Sequence, residues 1–478
     1  MSDPLRAVRS ALAGTPAWLV GGALRDRVLD RPTVDVDVVV DGDAEQAARA
    51  VARAVPPAAC FALSHEFGAW RVVARDGSWQ VDVEPLRAGS LEADLGLRDF
   101  TVNAIAEPIA GGPPIDPLGG LADLAARRLR MAAPRAFADD PLRVLRLARV
   151  AVELDLEPDE ATLRGARAHA HGLSGCSAER VFAELRRIVS ARAVLHGLDL
   201  MDTVGATTVV LPELHALRGV EQSRFHHSDV YGHTLEVLER TITLADAAAG
   251  EEPDPGRTLG DHGAQVAALL AEPLADELTR GDALRWGALL HDAAKPLTRG
   301  VRPADGRVTF IGHDSRGAEL AREVLGRLRA SERLSAHVAA LVRHHLRLGF
   351  LVHEPQPLSR RTVYGYLRAC SPVEVDVTLL SVADRLATRG DRAQESIDAH
   401  LRVARGLLAD ALRWRRDGRP SPLLRGDELA ASLGIQTGPR LGELLEELAE
   451  ARYAGEVLTR EQALAYASEH LLGGGQSD

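Results

Sequence analysis

The stretch Val34-Asp35-Val36-Asp37-Val38-Val39-Val40 constrains the fold more than any other part of the chain. β-Branched residues alternating with aspartates, between Arg31-Pro32-Thr33 and the Asp41-Gly42-Asp43 exit, predict a β-strand. Side chains alternate across a strand, so Asp35 and Asp37 leave from the same face, roughly 6–7 Å apart along it. Two carboxylates that close, beside a valine run fit for burial, repel each other unless a positive group lies between them. A divalent metal holding a triphosphate meets that need; a solvated strand edge is the plain alternative. The neighbouring segments are of the same kind. Residues 1–115 mix short strands with helices, with Ala44–Val55 as an Ala-rich helix and Trp70–Ala74 and Trp79–Val83 as a hairpin around Asp76-Gly77. From about Leu121 onward the pattern is overwhelmingly helical.

At 478 residues the chain has room for several domains with real cores. No apolar run approaches the roughly 18 residues that span a bilayer, and the N-terminus has no signal-peptide pattern. Cys60, Cys176 and Cys370 lie far apart without metal-ligand spacing and read as reduced thiols of a cytoplasmic protein. A net charge of −11 argues against indiscriminate nucleic-acid binding through bulk charge, so any RNA site has to be a local basic patch. Basic residues are almost all arginine, and the single lysine, Lys295, stands out against that bias.

Gly21-Gly22 precedes a helix expected to begin near Ala23. Small residues admit close backbone approach, and helix-start N–H groups offer phosphate a seat. Arg25 can add a bidentate charge to that phosphate. A site with two metals about 3.5–4 Å apart needs a third carboxylate from a neighbouring strand. Asp82, in Gln80-Val81-Asp82-Val83-Glu84, has the right alternating setting, and Glu84 lies on the same face as the alternative. Such a site supports in-line attack of a hydroxyl on an α-phosphate, with pyrophosphate leaving.

Gly21–Asp26, Asp35-Val36-Asp37, Arg98-Asp99-Phe100-Thr101-Val102-Asn103-Ala104 and Asp116–Leu124 follow one another in order. In that order they resemble the successive motifs of class II tRNA nucleotidyltransferases (CCA-adding enzymes) and bacterial poly(A) polymerases. Asp139–Arg146 resembles the family's amino-acid nucleotide template, and Ser177–Leu185 its helical brace. The resemblance implies that Asp35 and Asp37 hold Mg2+ as catalytic carboxylates, joined by Asp82. It implies that Gly21, Gly22, Arg25, Arg98 and Asn103 bind the nucleotide, and that Asp140 with Arg143 reads CTP or ATP in place of a nucleic-acid template. Asp140 and Arg143, three apart, fall on one face of a helix; an acceptor-only and a donor-only side chain together match the edge of a base. Arg146 and Arg149 continue the stripe toward phosphates. Two departures stand out: Leu97-Arg98-Asp99 replaces Arg-Arg-Asp, and Asp139 replaces Glu. Leu86–Leu97 is also too short for the flexible loop that many full CCA-adding members carry there, which points toward a CC-only or otherwise specialised enzyme.

In the helical remainder, His233 lies on an amphipathic helix, Val230–Ala245. His291-Asp292 closes the apolar run Trp286–Leu290, with Lys295-Pro296 after it, and His313-Asp314, His344-His345 and Asp384 follow. Imidazoles and carboxylates on separate helices suit a transition metal in a bundle core. The set resembles the HD phosphohydrolase pattern, which implies that His233, His291, Asp292 and Asp384 hold one divalent transition metal. His313 and His345 then complete a second site, and Lys295 steadies charge during attack on a phosphoester. Gly250–Gly263 reads as a mobile loop, and Gly473–Asp478 as a frayed end. The tail, from Leu423 through the Gly438-Pro439 turn, is either an RNA clasp or a packing appendage.

The expected fold class is therefore α+β. A small nucleotidyltransferase α/β head (1–115) leads into a helical neck for nucleotide and RNA (116–215), an HD-type helical domain (216–395) and a helical tail (396–478), the last three forming an elongated body. The expected activity is template-independent addition of CMP and/or AMP to a tRNA 3′ end from CTP or ATP. The acceptor arm is docked by shape and phosphate contacts, with no membrane partner. An HD phosphohydrolase with a nucleotide-sensing head is the contrasting reading.

Overall fold

The computed structural model describes residues 4–31, 35–64, 68–222, 228–388 and 393–473. Pro32, Thr33, Val34 and the residues past Gly473, expected to extend the acidic strand and to fray, lie outside the described residues. The chain falls into two compact units, Met1–Val210 and Leu211–Asp478.

In the first unit, β1 (Ala17–Val20), β2 (Asp35–Val40), β3 (Ala58–Ser64), β4 (Ala69–Ala74), β5 (Gln80–Pro85) and β6 (Ala106–Pro108) form one sheet in the order β3-β4-β5-β2-β1-β6. β2 and β5 run parallel, and the other pairs are antiparallel. A parallel pair needs a long crossover, supplied here by the helix Ala44–Ala54 and the β3–β4 hairpin. Asp43 caps that helix, its carboxylate accepting from the Gln46 N–H at 3.1 Å. Ala47, Ala48 and Val51 are its buried face, and it packs against β3, β4 and β5. Val36, Val38, Val72, Val81 and Val83 are at most 3% exposed, each burial contributing about 1.5–3 kcal/mol.

The opposite face carries the aspartates. Its end at Val39 is closed by Leu91 and Leu95, with Val20, Ala104 and Ala106. These leucines belong to a short helix, Leu91–Leu95, capped by Ser90, whose hydroxyl accepts from the Ala93 N–H at 3.2 Å. Buried Asp94 in turn accepts from the Arg87 N–H at 3.0 Å. The short interval before Arg98 is thus a capped helix docked on the sheet. The Asp116–Leu124 motif also has an architectural task. Asp116 accepts from the Gly120 and Leu121 N–H groups at 2.7 and 2.9 Å. A Cβ on Gly120 would lie 2.1 Å from the Thr101 carbonyl oxygen, so only glycine permits the approach.

Beyond the sheet, the helices Arg143–Leu154, Ala178–Ser190 and Val194–Thr203 pack on one another around fully buried Leu145, Leu147, Leu185, Ile188 and Met201. One sequence expectation needs correction here. Asp140 does not share a helix with Arg143: its backbone is extended (φ −146, ψ 100), between the short helix Ala136–Asp139 and the helix that starts at Arg143. Pro141 is the reason, since proline disfavours helical dihedrals in the residue before it.

The second unit is built almost wholly of helices. Val230–Ala249 packs against Arg280–Leu290 and Glu374–Leu386, and Glu332–His344 packs against Arg280–Leu290 and His313–Arg327. Trp286 is fully buried in this bundle, and a capping box between Thr279 and Asp282 starts its helix. Val230–Ala249 runs four residues past its expected end, to Gly250 at φ 80. The expected mobile loop after it is pinned. Asp254 accepts from the Leu259 and Gly260 N–H groups, Arg405 donates to the Gly256 and Arg257 carbonyls, and Thr258 and Leu259 are buried. The tail helices share a core of their own around Leu429, Leu444 and Leu448. Among the described residues no helix is long and apolar enough to cross a membrane.

Candidate active site and metal centre

Sheet register assembles the first site. Asp37 stands opposite Asp82 in the parallel β2–β5 ladder, and Arg71 of β4 stands opposite Asp82 from the other side. Directly opposed residues share a face, so Asp35, Asp37, Asp82 and Arg71 project together. Arg71 clasps Asp82 through Nε to Oδ1 and Nη2 to Oδ2, both 2.7 Å, so the third carboxylate arrives already paired. Burial pushes the Asp37 carboxyl up to about 6, with Asp82, Glu84 and Asp35 adding to the rise and Arg98 opposing it. Partial burial and then Asp82 raise Asp35 as well. Carboxylates held back from ionising beside one another form a site short of positive charge, and their hard oxygen donors suit Mg2+.

Gly21, at φ 70, closes the cradle: a Cβ there would sit 3.0 Å from Asp37 Oδ2 and 3.1 Å from Arg98 Nη1. Gly22 opens the helix Gly22–Val28, which carries Arg25. Arg25 Nη1 donates to Asn103 Oδ1 at 2.6 Å, and Asn103 Nδ2 donates to Asp99 Oδ1 at 2.9 Å. Arg146 donates Nε and Nη2 to Asp99 Oδ2 at 2.9 and 2.6 Å. Burial works against the charge on Asp99, but Arg146 and the Asn103 hydrogen bond hold its carboxyl well below the usual range. Arg146 Nη1 lies 3.7 Å from Glu184, which Arg149 also engages, and Arg149 donates to Glu153 at 2.9 Å. Arg25, Arg146 and Arg149 are thus links in one chain of alternating charge.

A cavity of about 510 Å3 opens beside Asp37, bounded by Glu84, Arg87, Arg98, Asp140, Arg143 and Arg180 among others. Arg146 also lines it, whereas Arg149 does not and is only 7% exposed. The expectation that Arg149 reaches phosphates is corrected on that ground: Glu184 and Glu153 hold it in the interior. Asp140 and Arg143 both face the cavity but do not pair with each other. Asp140 Oδ2 accepts from Arg180 at 2.8 Å. Arg143 donates to the carbonyls of Leu97 at 2.7 Å and of Arg98 and Ala136 at 3.2 Å. Sequence reasoning gave no role to Arg180 or Asp99, although both lie inside quoted motifs; a charged residue on the brace helix facing Asp140 was the available signal for Arg180.

The second unit brings all six expected metal-ligating residues together. His291, His313 and His345 each place Nδ1 against a carbonyl three residues upstream, those of Ala288, Phe310 and Val342, at 2.8, 2.6 and 2.6 Å. A ring nitrogen facing a carbonyl must carry the proton, which leaves Nε2 with its lone pair inward. His291 Nε2 is 3.2 Å and His313 Nε2 3.4 Å from the Asp292 carboxylate, and His233 Nε2 is 3.0 Å from Asp384 Oδ1. The rings of His291 and His313 each lie 5.3 Å from that of His345. Two donor groups result, His233-His291-Asp292 and Asp292-His313-His345, buried and sharing Asp292. Burial pushes His345 down to about 4, which favours its neutral form. For His291 burial also opposes charge, but Asp292 and Asp384 outweigh it and raise the ring's pKa; a divalent cation offers both carboxylates the same compensation. Mixed imidazole and carboxylate donors of this number fit a transition metal. Lys295 Nζ sits 2.6 Å from Asp292 and donates to Gln222 at 2.7 Å.

A mixed sheet with an aspartate pair beside a glycine cradle, and a separate helical bundle with histidine and aspartate donors, define a nucleotidyltransferase fused to an HD-type module. Family models agree: residues 17–130 match the poly A polymerase head domain, 155–218 the probable RNA- and SrmB-binding site of polymerase A, and 230–389 the HD domain. The chain is 37% identical over 455 residues to the A-adding tRNA nucleotidyltransferase of Deinococcus radiodurans, covering 94% of each. It is 33% identical to the CC-adding tRNA nucleotidyltransferase of Thermus thermophilus, covering 94% of this chain and 92% of that one. Its fold matches a CCA-adding enzyme in complex with CTP at a TM-score of 0.64 and 19% identity, over 100% of this chain and 97% of the other. The chain belongs to the tRNA nucleotidyltransferase family.

Proposed function

We propose that this protein transfers nucleotides from CTP and/or ATP to the 3′ end of tRNA, as a cytoplasmic enzyme whose three cysteines stay free of disulfides. The observation that carries the reading is the meeting of Asp37, Gly21 and Arg98 beside a cavity that Asp140 and Arg143 also line, with Asp35 on the same strand face as Asp37. Asp35 and Asp37, with Asp82 beside them, would hold Mg2+, which when bound supplies charge to the triphosphate and lowers the pKa of the attacking hydroxyl. Gly21 and Gly22 let backbone approach the phosphates, and Arg98 adds charge at their side. Arg25 is oriented for the same task by Asn103 and Asp99. Arg143, anchored on three carbonyls, presents a fixed donor to the base edge, with Asp140 as acceptor. The capped Leu91–Leu95 helix, together with A-adding and CC-adding relatives, supports a specialised enzyme that adds one kind of nucleotide.

The test supplies full-length protein and Mg2+ with tRNA transcripts ending at the discriminator base, at C or at CC, with CTP and ATP apart and together. Incorporation of one nucleotide onto its matching end is expected, and the Asp35→Ala/Asp37→Ala double variant should incorporate none. Incorporation by that variant, or none by the wild type with any combination, refutes the reading.

A second reading concerns the bundle, where the buried His291, His313, His345 and Asp292 cluster supports metal-dependent hydrolysis of a phosphoester. His291→Ala should lower bound transition metal while nucleotide addition continues; unchanged metal content counts against it.

A further inference from the structure

The head sheet has two unlike faces. One is buried under the helix Ala44–Ala54. On the other, register sets Asp37, Asp82, Arg71 and Phe61 in a single row across β2, β5, β4 and β3. Among the described residues nothing covers the far end of that row: Phe61 is 47% exposed, and Ala59, behind it on the same face, is exposed as well. β3 is the edge of the sheet, and its sequence, Ala-Ala-Cys-Phe-Ala-Leu-Ser, carries no charge. Edge strands are ordinarily protected by charge, proline or a covering element, so an uncharged edge with a bare aromatic ring calls for an occupant.

We propose that this face seats the unpaired 3′-terminal nucleotides of the acceptor RNA, with Phe61 as the stacking element and Arg71 as its charged neighbour. The inference rests on reading Asp35 and Asp37 as the site of nucleotidyl transfer. The reacting hydroxyl has to lie at the carboxylate pair, so the strand behind it must leave over an adjoining surface, and this row is one. Strand spacing puts Phe61 about 14 Å from Asp37, within reach of the nucleotides just behind the reacting end. Arg71 gives Nε and Nη2 to Asp82, which leaves Nη1 for a phosphate. Stacking on an aromatic ring is indifferent to base identity, and unpaired RNA ends are commonly bound in this way.

The experiment titrates the full-length protein into tRNA ending in CC and carrying 2-aminopurine at the discriminator position, two nucleotides behind the reacting end, without nucleotide. Stacking quenches the probe. Phe61→Ala, a surface change, should abolish the quench and raise both the Kd and the KM for tRNA about tenfold, with the KM for nucleotide unmoved; Phe61→Trp should restore both. A wild-type quench and tRNA KM in Phe61→Ala overturn the proposal. So does a concentration-dependent dimer that this variant loses while RNA binding persists, because the edge then seats a second copy. Loss of the quench is read without catalysis, so failed incorporation by the wild type refutes the transfer reading alone.

Discussion

Replacing Gly21 by alanine tests the cradle directly. Gly21 sits at φ 70, ψ −137, a conformation nearly confined to glycine that costs other residues about 1–3 kcal/mol. The added methyl would also lie 3.0 Å from Asp37 Oδ2 and 3.1 Å from Arg98 Nη1, so one or both must yield by a few tenths of an ångström. Misplacement of reacting groups by about 1 Å costs about 100-fold in rate, so a shift of this size predicts a loss of about tenfold in kcat. Gly77 supplies the control. It has a similar φ of 71 in the β4–β5 turn, with nothing within 4 Å of the added carbon. Urea denaturation should show both variants destabilised by about 1–3 kcal/mol, while single-turnover incorporation should slow only in Gly21→Ala. Equal rates in the two variants refute the claim that Gly21, Asp37 and Arg98 act as one unit.

Three further outcomes are expected. The Asp37 carboxyl is raised from 3.8 to about 6, so its folded form binds the proton more tightly than the unfolded chain does. This group therefore disfavours the fold increasingly as pH rises through that window. Asp37→Asn should raise the Tm at pH 7 without Mg2+ while abolishing incorporation, and the Mg2+ requirement of the wild type should climb as pH falls below about 6. Arg180→Ala frees Asp140 of its partner; because Arg180 is 55% exposed, the change is worth about 1 kcal/mol or less, read as an up to fivefold shift in the CTP-to-ATP ratio of kcat/KM. Lys295→Met should leave the bundle's metal content in place while reducing phosphoester hydrolysis, and a fall in metal by elemental analysis would show that Lys295 holds Asp292 rather than substrate.

Legibility followed the range of each interaction. The acidic strand, the hairpin around Asp76-Gly77, the helix carrying His233 and the apolar helix that ends just before His291 are written in local periodicity, and the structure has all of them. Proline chemistry explains Asp140: the three-residue spacing suggested a shared helix face, but Pro141 breaks the helix between the two residues. Arg149 failed for a different reason. Its partner, Glu184, lies on another element, and a stripe of arginines looks the same whether it faces phosphate or a buried glutamate. Phe61 was invisible because its neighbours follow from a four-strand register that the sequence of β3 does not encode. Gly250–Gly263 looked mobile by composition, yet one aspartate capping two amides and a distant arginine on two carbonyls fix it.

The carbonyls that hold Nδ1 of His291, His313 and His345 have a bearing on how the bundle handles its ion. Each lies three residues before its ring, so tautomer and orientation are set by local backbone at helix ends and not by the ion. Stripping the metal with a chelator should therefore leave the three rings where they are. Reloading then needs no rearrangement of these rings, and exchange rates should not follow the stability of the bundle.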